Sequence, residues 1–221
     1  MKIVCISDTH SQHGTLDSND RLPLGDIIIH AGDATSRGSS NEIEEFLQWF
    51  SALPHPVKIL IAGNHDWGFE RSPHIYRIMC RNLGIVYLED DEYLHKGVKF
   101  WGSPIQPEFF NWAFNRDRGA DIQKHWDLIP TDVDVLITHG PPWGILDKVP
   151  GNRHAGCVDL LHTIVSDIKP KFHIFGHIHE GRGIQTHKTN DGSEICFINA
   201  STLDGEYRPY KEEAISFELD I

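Results

Sequence analysis

The chain has 221 residues, 39% apolar and 24% charged, ordinary globular usage that argues against general disorder. Its formal net charge is -12 and no run of basic residues occurs, so no polymeric nucleic acid is expected as a partner, because sequence-independent affinity needs Lys and Arg on successive phosphates. Cys5, Cys80, Cys157 and Cys196 form no Cys-x-x-Cys pair and read as reduced thiols, and no apolar stretch approaches the roughly 18 residues of a membrane span.

No linker-like stretch divides residues 1–221, which are read as one domain. A buried strand is predicted at residues 3–6, so close to Met1 that no signal peptide precedes it, and a cytoplasmic protein with no membrane partner is expected. Further strands are predicted at residues 27–29 and 57–61. Between these two, Ile43, Phe46, Leu47 and Phe50 recur at helical spacing behind Ser39-Ser40-Asn41. Glu44, three residues after Asn41, suggests a capping box, and the helix is expected to end near Leu53-Pro54.

Residues 72–82 predict a second helix, opened by Ser72-Pro73 and closed before Gly84, with Ile75, Ile78 and Met79 on its apolar face. Short strands follow over residues 85–103 with Gly97 in a turn. Residues 104–119 form a loop rich in Pro and aromatic residues, and its stretch from Phe109 to Phe114, with Phe110 and Trp112, is expected by default to complete the core, the alternative being to stack on a base. Helices are predicted near residues 119–128 and 155–168, and strands at 135–137, 172–175, 194–198 and 214–219. This alternation of strands and helices predicts an α/β fold.

Five strand ends run into turns bearing metal-binding side chains: Asp8 and His10, Asp33, Asn64 and His65, His139, and His177 and His179. Side chains at the carboxyl ends of neighbouring strands converge on one rim of a sheet. In extended chain, residues two apart point the same way, so Asp8 and His10 can reach one side together, and so can His177 and His179. A set of N and O donors without thiolate suits manganese, iron or zinc, and so many donors suit two ions. Gly32, Gly63 and Gly176 beside the donors permit tight turns.

Asp-x-His, Gly-Asp, Gly-Asn-His-Asp, Thr-His-Gly-Pro-Pro and Gly-His-x-His, in this order over residues 8–179, resemble the blocks of the calcineurin-like metallophosphoesterases. Trp101-Gly102-Ser103-Pro104, Gly156-Cys157-Val158-Asp159-Leu160-Leu161 and Ile198-Asn199-Ala200-Ser201 resemble stretches of the brain-type metallophosphoesterase-domain proteins and their bacterial relatives, which are class III phosphodiesterase-like. The resemblance implies two packed mixed β-sheets flanked by helices. It implies two divalent metal ions, with manganese favoured and iron or zinc as alternatives. Asp8, His10 and His179 would hold the first ion, Asn64, His139 and His177 the second, and Asp33 would bridge them.

His65 would be the catalytic residue near the leaving group. The implied reaction is hydrolysis of a phosphodiester, in a small cyclic or linked nucleotide, by a metal-bridging hydroxide. A monoesterase or nuclease using the same ions, or a slow nucleotide-binding sensor or scaffold, remains as an alternative. Ser36 stands where protein phosphatases of this superfamily carry the carboxylate that orients the catalytic histidine. Arg37 and His154 are candidate substrate contacts, His154 because it precedes a predicted helix whose free amides face an anion.

Overall fold

Strands buried on both faces read as unbroken apolar runs, and they form the centre of this protein. The computed structural model describes residues 1–17 and 21–220. β1 (Lys2–Ile6), β2 (Ile27–Ala31), β3 (Val57–Ile61) and β4 (Ile85–Tyr87) lie parallel, in that order, and β15 (Ile215–Glu218) pairs antiparallel with β1. In the second sheet, β14 (Glu194–Asn199), β12 (Phe172–Phe175), β9 (Val135–Thr138) and β6 (Val98–Ser103) run parallel, edged by antiparallel β13 (Gly183–Lys188) and β5 (Asp91–His95). Both sheets are therefore mixed.

Alternation along each strand divides the core into layers. Ile3, Cys5, Ile29, Ile59 and Ile61 of the first sheet meet Phe100, Val135, Ile137, Ile174 and Ile198 of the second. Val4, Ile6, Ile28 and Leu60 instead share an outer cluster with the helical residues Ile43, Phe46, Leu47 and Phe50. Burying each such side chain contributes about 1.5–3 kcal/mol. A parallel bridge from Ser7 to Ser201, beyond β1 and β14, shows that the sheets point the same way, so their carboxyl ends share one rim.

Among the described residues, six α-helices flank the sheets: α1 (Gly14–Asp17), α2 (Ser40–Ala52), α3 (Trp67–Arg71), α4 (Pro73–Asn82), α5 (Ala120–Trp126) and α6 (Val158–Thr163), the last extended by a π turn at Ile164–Ile168. The capping box of α2 lies two residues before the expected one. Ser39 accepts from the Glu42 backbone, and the Glu42 carboxylate accepts from Ser39 N at 3.0 Å. On α4 the buried residues are Tyr76 and Cys80, whereas Ile75 and Ile78 are 56% and 42% exposed. The helix turns its aromatic residue inward because Tyr76 packs on Phe69, with ring centroids 5.1 Å apart, and that contact sets the phase.

The aromatic loop is divided. Two short strands, β7 (Gln106–Pro107) and β8 (Asn115–Arg116), pair across its neck. Phe114 is buried as expected, but Phe109 and Phe110 are exposed and Trp112 leaves the core for the rim. β10 (Lys148–Val149) and β11 (Arg153–His154) form a small hairpin over the same rim. Neither β13 nor the hairpin is among the expected strands. β13 alternates half-buried and exposed residues along an edge, so it carries no apolar run.

Candidate metal centre

Asp8, His10, Asp33 and His177 leave the chain just past strand ends, with φ of 55°, 41°, 54° and 67°. Asp and His tolerate this left-handed region better than most residues, at about 1–2 kcal/mol each. Backbone bonds hold the turns, including Asp8 N to Gly32 O at 2.9 Å and His10 N to Asp33 O at 3.1 Å. The turns therefore aim the side chains, not the pleat of an extended strand. His177 and His179 reach the same rim and enter different groups there, His177 with Asp33 and His139, His179 with Asp8 and His10.

One donor atom from each of Asp8, His10 and His179 lies within 4.8 Å of the others. The same holds for Asp33, His139 and His177, and for His10, Asp33 and His65, so Asp33 stands between the groups. Asn64 Oδ1 lies 2.9 Å from His139 Nε2. All seven candidate ligands and His65 are thus brought to one place. Space is tight: a Cβ at Gly63 would stand 2.3 Å from Asp33 Oδ1, and one at Gly176 would stand 2.1 Å from Asp8 Oδ2.

Burial alone would raise the pKa of Asp8 and Asp33, but the neighbouring histidines hold both below the usual carboxylate range. Burial lowers His10 and His177 to about 4, and the nearby carboxylates do not offset it. Burial is overcome at His139 by Asp33 and at His179 by Asp8, which raise each to about 9. The Nδ1–H of His139 donates to Ala31 O at 2.9 Å and that of His179 to Asp204 O at 3.0 Å, leaving Nε2 of each toward the carboxylates.

The donor set fits divalent cations. Two buried carboxylates have only histidines as ionic partners among the described residues, and His10 Nε2 faces His179 Nε2 at 3.3 Å. Imidazoles, carboxylates and an amide oxygen, without thiolate, form the mixed N/O set of catalytic transition-metal sites.

His65 packs edge-on against His10 at 4.6 Å and stacks on Trp112 at 4.2 Å. Its Nδ1 lies 2.7 Å from Ser36 O, and its Nε2 lies 4.0 Å from Asp33 Oδ2. A carbonyl only accepts, so Nδ1 carries hydrogen and Nε2 faces the site. The Ser36 backbone thereby supplies an orienting acceptor despite the missing carboxylate. Asp66 stands at the N-cap position of α3, but its side chain makes no cap hydrogen bond. Its buried carboxylate takes hydrogen bonds from Ala34 N, Thr35 N and Oγ1, and Gly63 N, tying together the turns that carry Asp33 and Asn64. Burial and then the charge of Asp33 push its pKa up to about 6.

A cavity of about 430 Å³ opens beside His177 and His179, within the range of small-molecule sites. Phe109 and Tyr207 line it, as does His154. His154 Nδ1 is 2.6 Å from the buried Asp147, so a carboxylate places this ring and not the amide end of α6. Arg37 is exposed, with no hydrogen bond or ion pair among the described residues, and does not line this cavity.

Several contributors carried no assignable role in the sequence. Ser201 Oγ donates to Asp8 Oδ2 at 2.7 Å, and Asn199 Oδ1 accepts from Ser201 N at 3.1 Å. Their motif was visible in Ile198-Asn199-Ala200-Ser201, but its contact with Asp8 spans 193 residues. Tyr207, at φ 59°, packs on His10 and His179 at 5.0 and 5.1 Å, and no pattern signalled it.

The profile of the calcineurin-like phosphoesterase family matches residues 1–181. Metallophosphoesterase domain-containing protein 1 of Homo sapiens is 39% identical over 94% of this chain and 68% of its own length. A UPF0046 protein of Caenorhabditis elegans is 33% identical over 100% of this chain and 60% of its own length. The crystal structure of TT1561 of Thermus thermophilus shares the fold, with TM-score 0.59 and 15% identity, covering 89% of this chain and 88% of that one.

Proposed function

Because the chain belongs to the calcineurin-like phosphoesterase family, and so is a phosphoester hydrolase, we propose that it is a phosphodiesterase acting on a small cyclic or linked nucleotide. The observation that carries this reading is the meeting of seven donor side chains beside a cavity of about 430 Å³ flanked by two aromatic rings. Asp8, His10 and His179 would hold one cation, Asn64, His139 and His177 another, with Asp33 between. Two divalent cations supply Lewis acidity, which lowers the pKa of water and neutralises phosphoryl oxygens. Manganese is favoured by the N/O donors, with iron and zinc as alternatives.

The protein's own groups do the rest. His65, held by the Ser36 carbonyl and the face of Trp112, presents Nε2 beside Asp33; with a proton there it protects the departing oxygen from charge. Phe109 and Tyr207 offer rings on which a base stacks. The net charge of -12 supports a small substrate over a nucleic-acid polymer. Unpaired thiols support the cytoplasm as its compartment, and among the described residues no helix is long and apolar enough to cross a membrane.

The test is hydrolysis of bis(p-nitrophenyl) phosphate and p-nitrophenyl phosphate by protein loaded with manganese, iron or zinc. The diester should be cleaved with the higher kcat/KM. A faster monoester, or no cleavage of either with any metal, overturns the proposal.

A further inference from the structure

The cavity has unlike walls. Glu180 stands beside His179, and Glu108 beside Phe109 on the aromatic loop. Arg153 and His154 occupy the hairpin side, with Arg118 behind them. An anion entering this space is repelled by the acidic walls and attracted by the hairpin.

The hairpin wall is built. Asp147 is fully buried, and its Oδ2 accepts from Gly144 N and Gly156 N, both at 2.9 Å. Its Oδ1 takes His154 Nδ1 at 2.6 Å, while Trp143 packs against the ring at 5.0 Å. Arg118 ties the hairpin down by donating to Gly156 O at 2.9 Å and Ala155 O at 3.1 Å. The ring of His154 is therefore fixed, and its Nε2 has no partner among the described residues. None of these groups belongs to the metal-binding set.

We infer that Arg153 and His154 form a second anion subsite, which takes a phosphate that the substrate carries in addition to the phosphodiester being cleaved. This deepens the phosphodiesterase reading and rests on it. Of the two substrate classes, it selects a linked nucleotide with an extra phosphate over a cyclic mononucleotide, whose one phosphate sits at the metal centre. In its doubly protonated form the His154 ring donates from Nε2 to a phosphate oxygen while Nδ1 donates to Asp147, which positions it, and Arg153 adds charge.

The probes are the dinucleoside monophosphate of adenosine and the same compound with a terminal phosphate. KM for the phosphorylated compound should be about tenfold lower in the parent, the worth of one charge-assisted hydrogen bond. His154→Ala and Arg153→Ala should each shrink that preference, and His154→Lys should restore part of it. Calorimetric Kd values for methylene analogues that cannot be hydrolysed should follow the same pattern. A parent without the preference, or a preference that survives His154→Ala, overturns the inference. If both nitrophenyl esters resist cleavage while the Kd preference depends on His154, the phosphodiesterase reading fails and the subsite stands.

Discussion

The two donor groups repeat one plan with different supports. In each, a buried carboxylate faces a histidine whose far nitrogen donates to a backbone carbonyl: Asp8 with His179 and Asp204 O, and Asp33 with His139 and Ala31 O. In each, a further histidine, His10 or His177, is left with its basicity lowered by burial. The supports differ. Asp8 is steadied by Ser201 and by the amide of His177, contributed by late parts of the chain, whereas Asp33 takes the amide of His65 and shares its turn with the network of Asp66. The shared plan suits both groups to a cation, and the supports decide how each one fails.

Asp33→Asn should break the comparison most severely, because this carboxylate stands in contact range of both groups. Turnover should fall by about 1000-fold, the upper range for losing one electrostatic stabiliser. Metal content measured on the purified variant should fall as well. His65→Ala should cost about 100-fold in kcat while metal content stays at the parent value. A variant that instead lost its metal would make His65 a ligand.

Ser201→Ala removes a support from the first group alone. It should weaken the affinity of one of two metal-binding steps by about tenfold, with the other step unchanged, as calorimetry resolves them. Equal weakening of both would show that the groups are not independent.

The effect of pH is the mildest discriminator, and its sign follows from the raised and lowered groups. In metal-free protein, His139 and His179, raised from 6.5 to about 9, contribute stability that is full below 6.5 and is lost as pH rises through 9. His10 and His177, lowered to about 4, contribute stability that is present above 6.5 and is lost as pH falls toward 4. Asp8 and Asp33, lowered, add stability that is lost in stronger acid. Thermal unfolding should therefore show greatest stability near pH 6.5. Metal loading at that pH should release protons from His139 and His179, which buffers of different ionisation enthalpy would count.

Much of this was legible in the sequence for a physical reason. Strands covered on both faces must be apolar throughout, and each ends where Asp, Asn or His enters a turn those residue types tolerate. The same logic misplaced the faces of α4, because periodicity weighs Ile75 and Ile78 without knowing that Phe69 waits for Tyr76. Trp112 is another case: its composition suggested core, and only the fold reveals a histidine to stack on. Supports such as Ser201 and the Asp204 carbonyl act across more than twenty residues, so no local pattern announces them.

The pairing of β15 with β1 sets an order in time. On a ribosome β1 is made well before β15, so one of its edges stays bare until residues 215–218 emerge. The hydroxyl of Ser201 and the carbonyl of Asp204 reach the first donor group in the same late interval. The first donor group is thus completed late in synthesis, and a nascent chain stalled before Asn199 would present Asp8 and His10 with the clasp of Ser201 and Asp204 still undone.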